Sequence, residues 1–317
     1  MPRIDELRLI ARVARMYYEW DMRQAEIAKQ LGISQATVSR LIGRSKEEGI
    51  IRISVNLPNG VYTELEETLV KKFGLRDAIV VDSLDDNEKM IQRDLGAAAA
   101  YYLELAIRPN DVIGISSWSA TLVALVDSLH SLPRHPGVKV VQILGGVGNP
   151  AAEAYATHLT SRMAQLVNGE AVYLPVSGVL VTEAARDILT AEEVAQHAIK
   201  LFDHVTTALV GIGAIEPSPL LAQSGNIFGP QELDLLRQEK AVGDILLRFF
   251  DQNGNLVKTG LEKRVISMKL EQLSKVSRAV GVAGGSRKYA AILGALRGHW
   301  INVLVTDHFT GNRLARE

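Results

Sequence analysis

The stretch Val140-Val-Gln-Ile-Leu-Gly-Gly-Val-Gly-Asn149 ends an apolar run abruptly in glycines, the pattern of a buried strand giving way to a loop that can grip an anion. Similar runs lie on either side of it: Asp111-Val-Ile-Gly-Ile-Ser116, Thr207-Ala-Leu-Val-Gly-Ile212, Ala279-Val-Gly-Val-Ala283 and Ile301-Asn-Val-Leu-Val-Thr306. Helical stretches separate them, over 87–107, 120–132, 151–167, 192–202 and 289–296, and a helix at 63–74 with a strand at 77–82 precedes them. This alternation predicts crossover connections and an open parallel sheet with helices on both faces. The strands are near-continuously apolar, as burial on both sides requires. Leu246 to Val257, with Asp251-Gln-Asn-Gly254 between, reads as a hairpin added to that core.

Ligands of open parallel sheets bind beyond the carboxyl ends of the strands. Those ends read Ser116-Ser-Trp-Ser-Ala-Thr121, Gly145-Gly-Val-Gly-Asn149, Gly211-Ile-Gly213, Ala283-Gly-Gly-Ser-Arg-Lys288 and Thr306-Asp-His308. Hydroxyls and free backbone N–H groups at helix N-termini suit phosphate. Arg287 and Lys288 add positive charge, and Asp244 and Asp307 offer acceptors to hydroxyls, so a phosphorylated sugar or polyol is the predicted ligand. Each piece also has a plain reading: glycines after strands make tight turns, and Asp307 can N-cap the last helix. Leu144, the last residue before the glycines, offers no nucleophile. The glycine loop is therefore expected to be one wall of a recognition pocket.

The first sixty residues read differently. Leu7, Ile10, Val13, Ala14 and Tyr17 mark one helix face. In the segment 24–43, Ile27, Ala28 and Leu31 give a short helix one buried stripe, and Gly32 supplies the positive φ of a tight turn. Ser34 is placed to cap a second helix that turns Val38, Leu41 and Ile42 inward. A small residue, a glycine turn and inward aliphatics at these offsets predict a helix-turn-helix whose second helix enters the major groove of double-stranded DNA. Gln35, Ala36, Ser39 and Arg40 lie on its outward face and Arg44 one turn on. Gln35 and Arg40 suit adenine and guanine edges, while Thr37, Ser39 and Arg44 suit phosphates. Ile50 to Val55 alternates as a strand or wing, giving the head a winged-helix character, and Asn56-Leu-Pro-Asn-Gly60 punctuates the chain. The predicted domains are thus 1–57 and 58–317.

The 317 residues are 47% hydrophobic and 22% charged, with a formal net charge of -1, so any basic surface is local. Residues 1–60 hold ten Lys/Arg and seven Asp/Glu, a head of +3, which leaves the remainder at -4. Such a head is weak alone, and tight DNA binding calls for several heads per assembly. The chain has no cysteine, which excludes disulfides and thiol chemistry. Its charged start and lack of a long apolar run predict a cytoplasmic protein with no membrane partner. The seven histidines are scattered; His197 and His204, which could share a helix face, are read as surface residues, so no metal site is predicted. Gly211-Ile-Gly-Ala-Ile-Glu216 lacks the third glycine of a dinucleotide fingerprint, and no cofactor is predicted.

Taken in order, the helix-turn-helix over 24–43 and the segments 111–121, 142–148, 208–213, 241–251, 282–288 and 302–307 resemble the SorC family of sugar-responsive transcriptional regulators over essentially the whole chain. The resemblance implies a Rossmann-like C-terminal domain similar to phosphosugar isomerases but used for sensing, in a homotetramer built as a dimer of dimers. It also implies a pocket in which Ser117, Ser119, Ala120 and Thr121 form the phosphate-side loop and Gly145 and Gly146 line the same space. Asp244, Lys288 and Asp307 would contact the sugar end or a second anionic group. No catalytic residue is implied, and the alternative is an isomerase-like enzyme carrying a DNA-binding head. Two departures stand out: Ser116 to Thr121 lacks the glycine-rich cradle of the isomerases, and Tyr173-Leu-Pro-Val-Ser-Gly178 lacks a second proline many members show.

Overall fold

The computed structural model describes residues 4–51, 58, 60–133 and 135–317. They divide into two compact units, Met1–Pro58 and Asn59–Glu317.

In the first unit, α1 (Ile4–Tyr18), α2 (Gln24–Leu31) and α3 (Gln35–Glu47) close over Ile10, Val13, Met16, Ile27, Ala28, Val38, Leu41 and Ile42. Gly32 takes φ +64° and lets the Ile33 amide return to the Ala28 carbonyl at 3.1 Å, which ends α2 and turns the chain. Ser34 caps α3 by accepting from the Thr37 amide at 3.1 Å. The expected wing over 50–55 lies outside the described residues from position 52 onward.

The second unit begins with α4 (Thr63–Phe73), β1 (Asp77–Val81) and α5 (Glu88–Ala106). It continues with β2 (Val112–Ile115), α6 (Ala120–Ser128), β3 (Lys139–Gln142), α7 (Pro150–Leu166), β4 (Glu170–Val172), α8 (Glu183–Ala191) and α9 (Glu193–Ile199). Next come β5 (Thr207–Gly211), β6 (Gly213–Ala214), α10 (Pro219–Ser224), α11 (Pro230–Gln238), β7 (Ala241–Ile245) and β8 (Arg248–Asp251). The chain ends with α12 (Leu270–Leu273), β9 (Arg278–Val282), α13 (Tyr289–Arg297), β10 (Val303–Asp307) and α14 (His308–Arg316).

Seven strands form one parallel sheet in the order β1-β10-β9-β5-β2-β3-β4. Alternate strand residues feed two separate cores, as a period of two dictates. Leu209, Val303 and Val305 join Leu95, Leu103, Leu122 and Met163 of α5, α6 and α7, while Ala208, Val210 and Leu304 join residues of α4, α9, α12 and α13. At the amino ends of the strands, Asp111 is nearly buried and pairs with Arg278 at 2.9 Å while accepting from Thr206 at 2.8 Å, which ties β2, β5 and β9 together. From β2 the chain runs outward to β3 and β4 and then returns to β5 on the other side of β2. The strand order therefore reverses between β2 and β5, and that is where an open parallel sheet parts its loops.

A second sheet, β6-β7-β8, is antiparallel. The expected hairpin over 246–257 is present and is extended by a further strand on its amino-terminal side. Asp251 to Gly254 do form a turn, with the Asp251 carboxylate accepting from the amides of Asn253 and Asn255. Across it β8 pairs with residues 255–257, through Asp251 N–H to Asn255 O at 2.9 Å and Val257 N–H to Phe249 O at 3.0 Å. On its other edge β8 pairs with β7, joined through Leu246 and Leu247. β4 and α8 carried no readable signal, because β4 has three residues and α8 buries none.

Gly96 in α5 is buried against α6, and a Cβ there would sit 2.7 Å from Ala124. Gly96→Ala gains about 1 kcal/mol of helix propensity, but overpacking of this kind costs about 1–3 kcal/mol. The variant is expected to be the less stable, with a lower urea midpoint at unchanged slope.

Candidate effector site and DNA-reading helix

On α3, Gln35, Ala36, Ser39 and Arg40 are exposed, as a helix that reads DNA requires. Thr37 is half-buried, and its hydroxyl lies 2.8 Å from that of Ser34, within the cap. Arg44 is ion-paired with Glu6 of α1 and reaches Glu48 at 3.5 Å. The Arg44 hydrogen bond holds the Glu6 carboxyl below its ordinary range. Arg44, expected to meet phosphate, is thus occupied in fastening α1 to α3.

The second unit has a cavity of about 70 Å³ where β2 and β5 part. One side is the amino end of α6: Ser116, Trp118, Ser119, Ala120 and Thr121 line it, and Ser119 caps the helix by accepting from the Leu122 amide at 3.4 Å. Trp118 is held by its indole N–H, which donates to the Gly145 carbonyl at 2.9 Å. The end of β5 and the start of β6 supply Gly211 to Ala214, and a Cβ on Gly211 would lie 2.8 Å from the Ser119 Oγ. Gly213 faces Asp244 across the β6–β7 pair, where a Cβ would come within 2.2 Å of the carboxylate. These two glycines allow close approach of Ser119 and of Asp244.

Asp244 and Lys288 line the same cavity without forming an ion pair with each other. Asp244 accepts from the Leu247 amide at 2.9 Å. Burial pushes its carboxyl up to about 6, against the pull of that amide and of Lys288. Lys288 is 9% exposed, and its ammonium has no hydrogen-bond or ion-pair partner among the described residues. Burial lowers its pKa, opposed by Glu88 and Asp244. At the mouth, Arg287 pairs with Glu88 at 2.7 Å and reaches the Glu216 carbonyl at 3.5 Å. Hydroxyls, a helix amino end, an unpaired ammonium and a buried carboxylate make a site for a small anion bearing hydroxyl groups. Among the described residues, no group of three or more His, Asp or Glu could hold a metal ion, and no helix is long and apolar enough to cross a membrane.

A family model described as "Putative sugar-binding domain" matches residues 59–315, and a "Homeodomain-like domain" model matches residues 5–53. The chain is 33% identical to the sorbitol operon regulator of Klebsiella pneumoniae over 320 residues, covering 100% of each chain. It is 32% identical to the deoxyribonucleoside regulator of Bacillus subtilis, covering 99% of each. The crystal structure of the full-length sorbitol operon regulator SorC from Klebsiella pneumoniae superposes with a TM-score of 0.74 at 32% identity, covering 98% of this chain and 99% of that one. The chain belongs to the SorC family. It is a DNA-binding transcriptional regulator with an effector-binding sugar domain.

In this SorC-family chain, five of the nine residues named from sequence for the effector meet in the cavity: Ser119, Ala120, Thr121, Asp244 and Lys288. The other four are placed elsewhere. The Ser117 hydroxyl donates to the Leu144 carbonyl at 2.7 Å and is buried. Gly145 and Gly146 spend their amides on the Ile266 and Leu174 carbonyls, at 3.0 and 3.1 Å, so no free N–H remains there for an anion. They are glycine because a Cβ at Gly145 would strike the 176–178 backbone and one at Gly146 the Gln142 side chain. Of that stretch, Leu144 reaches the cavity. Asp307 is fully buried; it accepts from the Thr310 amide and hydroxyl and from the Gly285 amide, each at 2.8 Å. It caps α14 and holds the loop that carries Lys288. Sequence reasoning missed Gln92, Glu216, Ser218, Leu246 and Leu247, which also line the cavity. The Glu216-Pro-Ser-Pro219 run after β6 was the signal for two of them.

Because the folded-state pKa of Asp244 is raised, its stabilising contribution is complete below about pH 4 and is lost as pH rises through about 6. Asp244→Asn is therefore expected to match the parent near pH 4 and to exceed it by about 2–3 kcal/mol at pH 7.5, at roughly 1.4 kcal/mol per unit. Urea unfolding at the two pH values measures the difference.

Proposed function

We propose that the effector is a phosphorylated sugar or polyol. In this reading Lys288 and the amino end of α6, with Ser119 and Thr121, take the phosphate. Asp244 accepts from the hydroxyls. The observation that carries it is a buried, unpartnered Lys288 sharing a cavity with a buried carboxylate at the point where the strand order reverses. The names of the sorbitol and deoxyribonucleoside regulators agree with an effector of this chemistry.

Residues 1–57 would read operator DNA through Gln35, Ala36, Ser39 and Arg40, with Thr37 and Arg44 fixing the helix that presents them. Residues 58–317 would bind the effector and assemble the chain as a homotetramer, a dimer of dimers. The modest charge of the head supports this reading, since several heads would be needed for tight binding. Effector binding would favour one arrangement of the assembly; about tenfold regulation requires about 1.4 kcal/mol of differential affinity. The domain is read as a sensor and not an isomerase, in keeping with relatives named as regulators.

Calorimetry with sorbitol 6-phosphate and ribose 5-phosphate tests the effector. At least one should bind, its unphosphorylated parent should bind at least about tenfold more weakly, and Lys288→Met should remove that difference. Equal binding with and without phosphate sinks the reading. Affinity should fall as pH drops through about 6, where both Asp244 and the ligand's phosphate take up protons, and Asp244→Asn should leave only the phosphate's share of that slope. Binding should also change the fluorescence of Trp118, a change lost in Trp118→Phe. On the DNA side, Arg40→Ala should cost about 1–3 kcal/mol of specific binding at fixed salt.

A further inference from the structure

The two residues joining β7 to β8, Leu246 and Leu247, have φ of +57° and +61°. Two-residue hairpin turns of this hand ordinarily use Asn and Gly, because a branched side chain is costly in the left-handed region. The other described non-glycine residues with positive φ are Asp21, Asn110, Asn168, Lys240 and His299, all polar. The two leucines are instead buried, at 3% and 4% exposure. Strain that a sequence could relieve with glycine, and does not, points to a use for the side chain.

The use follows from what Leu247 separates. On one side is the effector cavity, and on the other a void of about 10 Å³ lined by Phe228, Phe249 and Leu233. Ala214, Pro217, Leu221, Asp244 and Leu247 line both spaces, and of these Leu247 has the strained backbone. The Leu247 amide donates to Asp244, so the turn is fixed by the same carboxylate that faces the ligand. The side chain therefore stands as a partition. It closes the inner end of a cavity of about 70 Å³ whose other end opens at the Arg287 mouth.

We propose that Leu247 is a specificity-determining residue of the effector site: it occupies a strained turn in order to shorten the cavity, and so restricts the effector to compact phosphorylated sugars. This rests on the sugar-phosphate reading above. Removing the side chain joins the cavity to the void behind it and admits longer ligands.

The test has two parts on the full chain. Leu247→Gly relieves the strained φ and Leu247→Ala does not, so the glycine variant should melt at the higher temperature although it loses one more carbon. The opposite order removes the premise of strain. Calorimetry with glycerol 3-phosphate, ribose 5-phosphate and sorbitol 6-phosphate then reads length discrimination. The parent should bind sorbitol 6-phosphate at least about tenfold more weakly than the best shorter probe, and Leu247→Gly should bring that ratio near one. An unchanged ratio overturns the partition alone, provided Lys288→Met still removes the preference for the phosphorylated probe. If none of the three probes binds parent or variant, the sugar-phosphate reading falls and the partition with it.

Discussion

A parallel sheet buried on both faces cannot place a polar ligand against its strands, because the side chains there are needed for two cores. The available polar surface lies where consecutive crossover connections part. Here the chain leaves β2 toward β3 and β4 and comes back through β5, so the loops after β2 and β5 diverge and leave a crevice between them. The amino end of α6, the close approach of Gly211 and Gly213, and the docking of β6 against β7 all follow from that gap. At the opposite ends of the same strands, Asp111 and Arg278 hold β2, β5 and β9 in register, so the crevice opens on a fixed frame.

Into this frame the fold places two charges in unfavourable surroundings. A buried carboxylate with one amide donor and a buried ammonium with no direct partner are both costly to desolvate. A ligand that carries an anion and hydroxyls, as proposed above, would supply the missing partners to both. The unmet demand of these two groups is the driving force that the proposed effector would use. The loop bearing Lys288 is positioned by Asp307, whose oxygens bind Gly285 and Thr310 and leave nothing for the ligand.

Much of the architecture was legible in the residues. The helix-turn-helix followed from Ala28, Gly32 and Ser34 at fixed offsets, and each takes the expected role in the turn or cap. Most of the sheet strands followed from apolar runs broken by glycine or hydroxyl residues. Asp244, Lys288 and the 119–121 turn were recognisable as chemistry at strand ends. Ser117, Gly145 and Asp307 looked equivalent to them in sequence, yet their hydrogen-bonding capacity is used by the Leu144, Ile266, Gly285 and Thr310 backbones. Nothing local distinguishes a hydroxyl that faces a cavity from one that faces a carbonyl twenty-seven residues away.

The sequence by itself determined the periodicity of the elements, the recognition helix, and which side chains could bind an anion, because these depend on residue type and short spacings. Tertiary structure decided which strand ends share a crevice, which polar groups stay free, and that a second turn at two leucines adds β7 to the hairpin about Asp251 to Gly254. Those outcomes depend on strand order and on competition for hydrogen-bond partners across the whole chain, which no local pattern records.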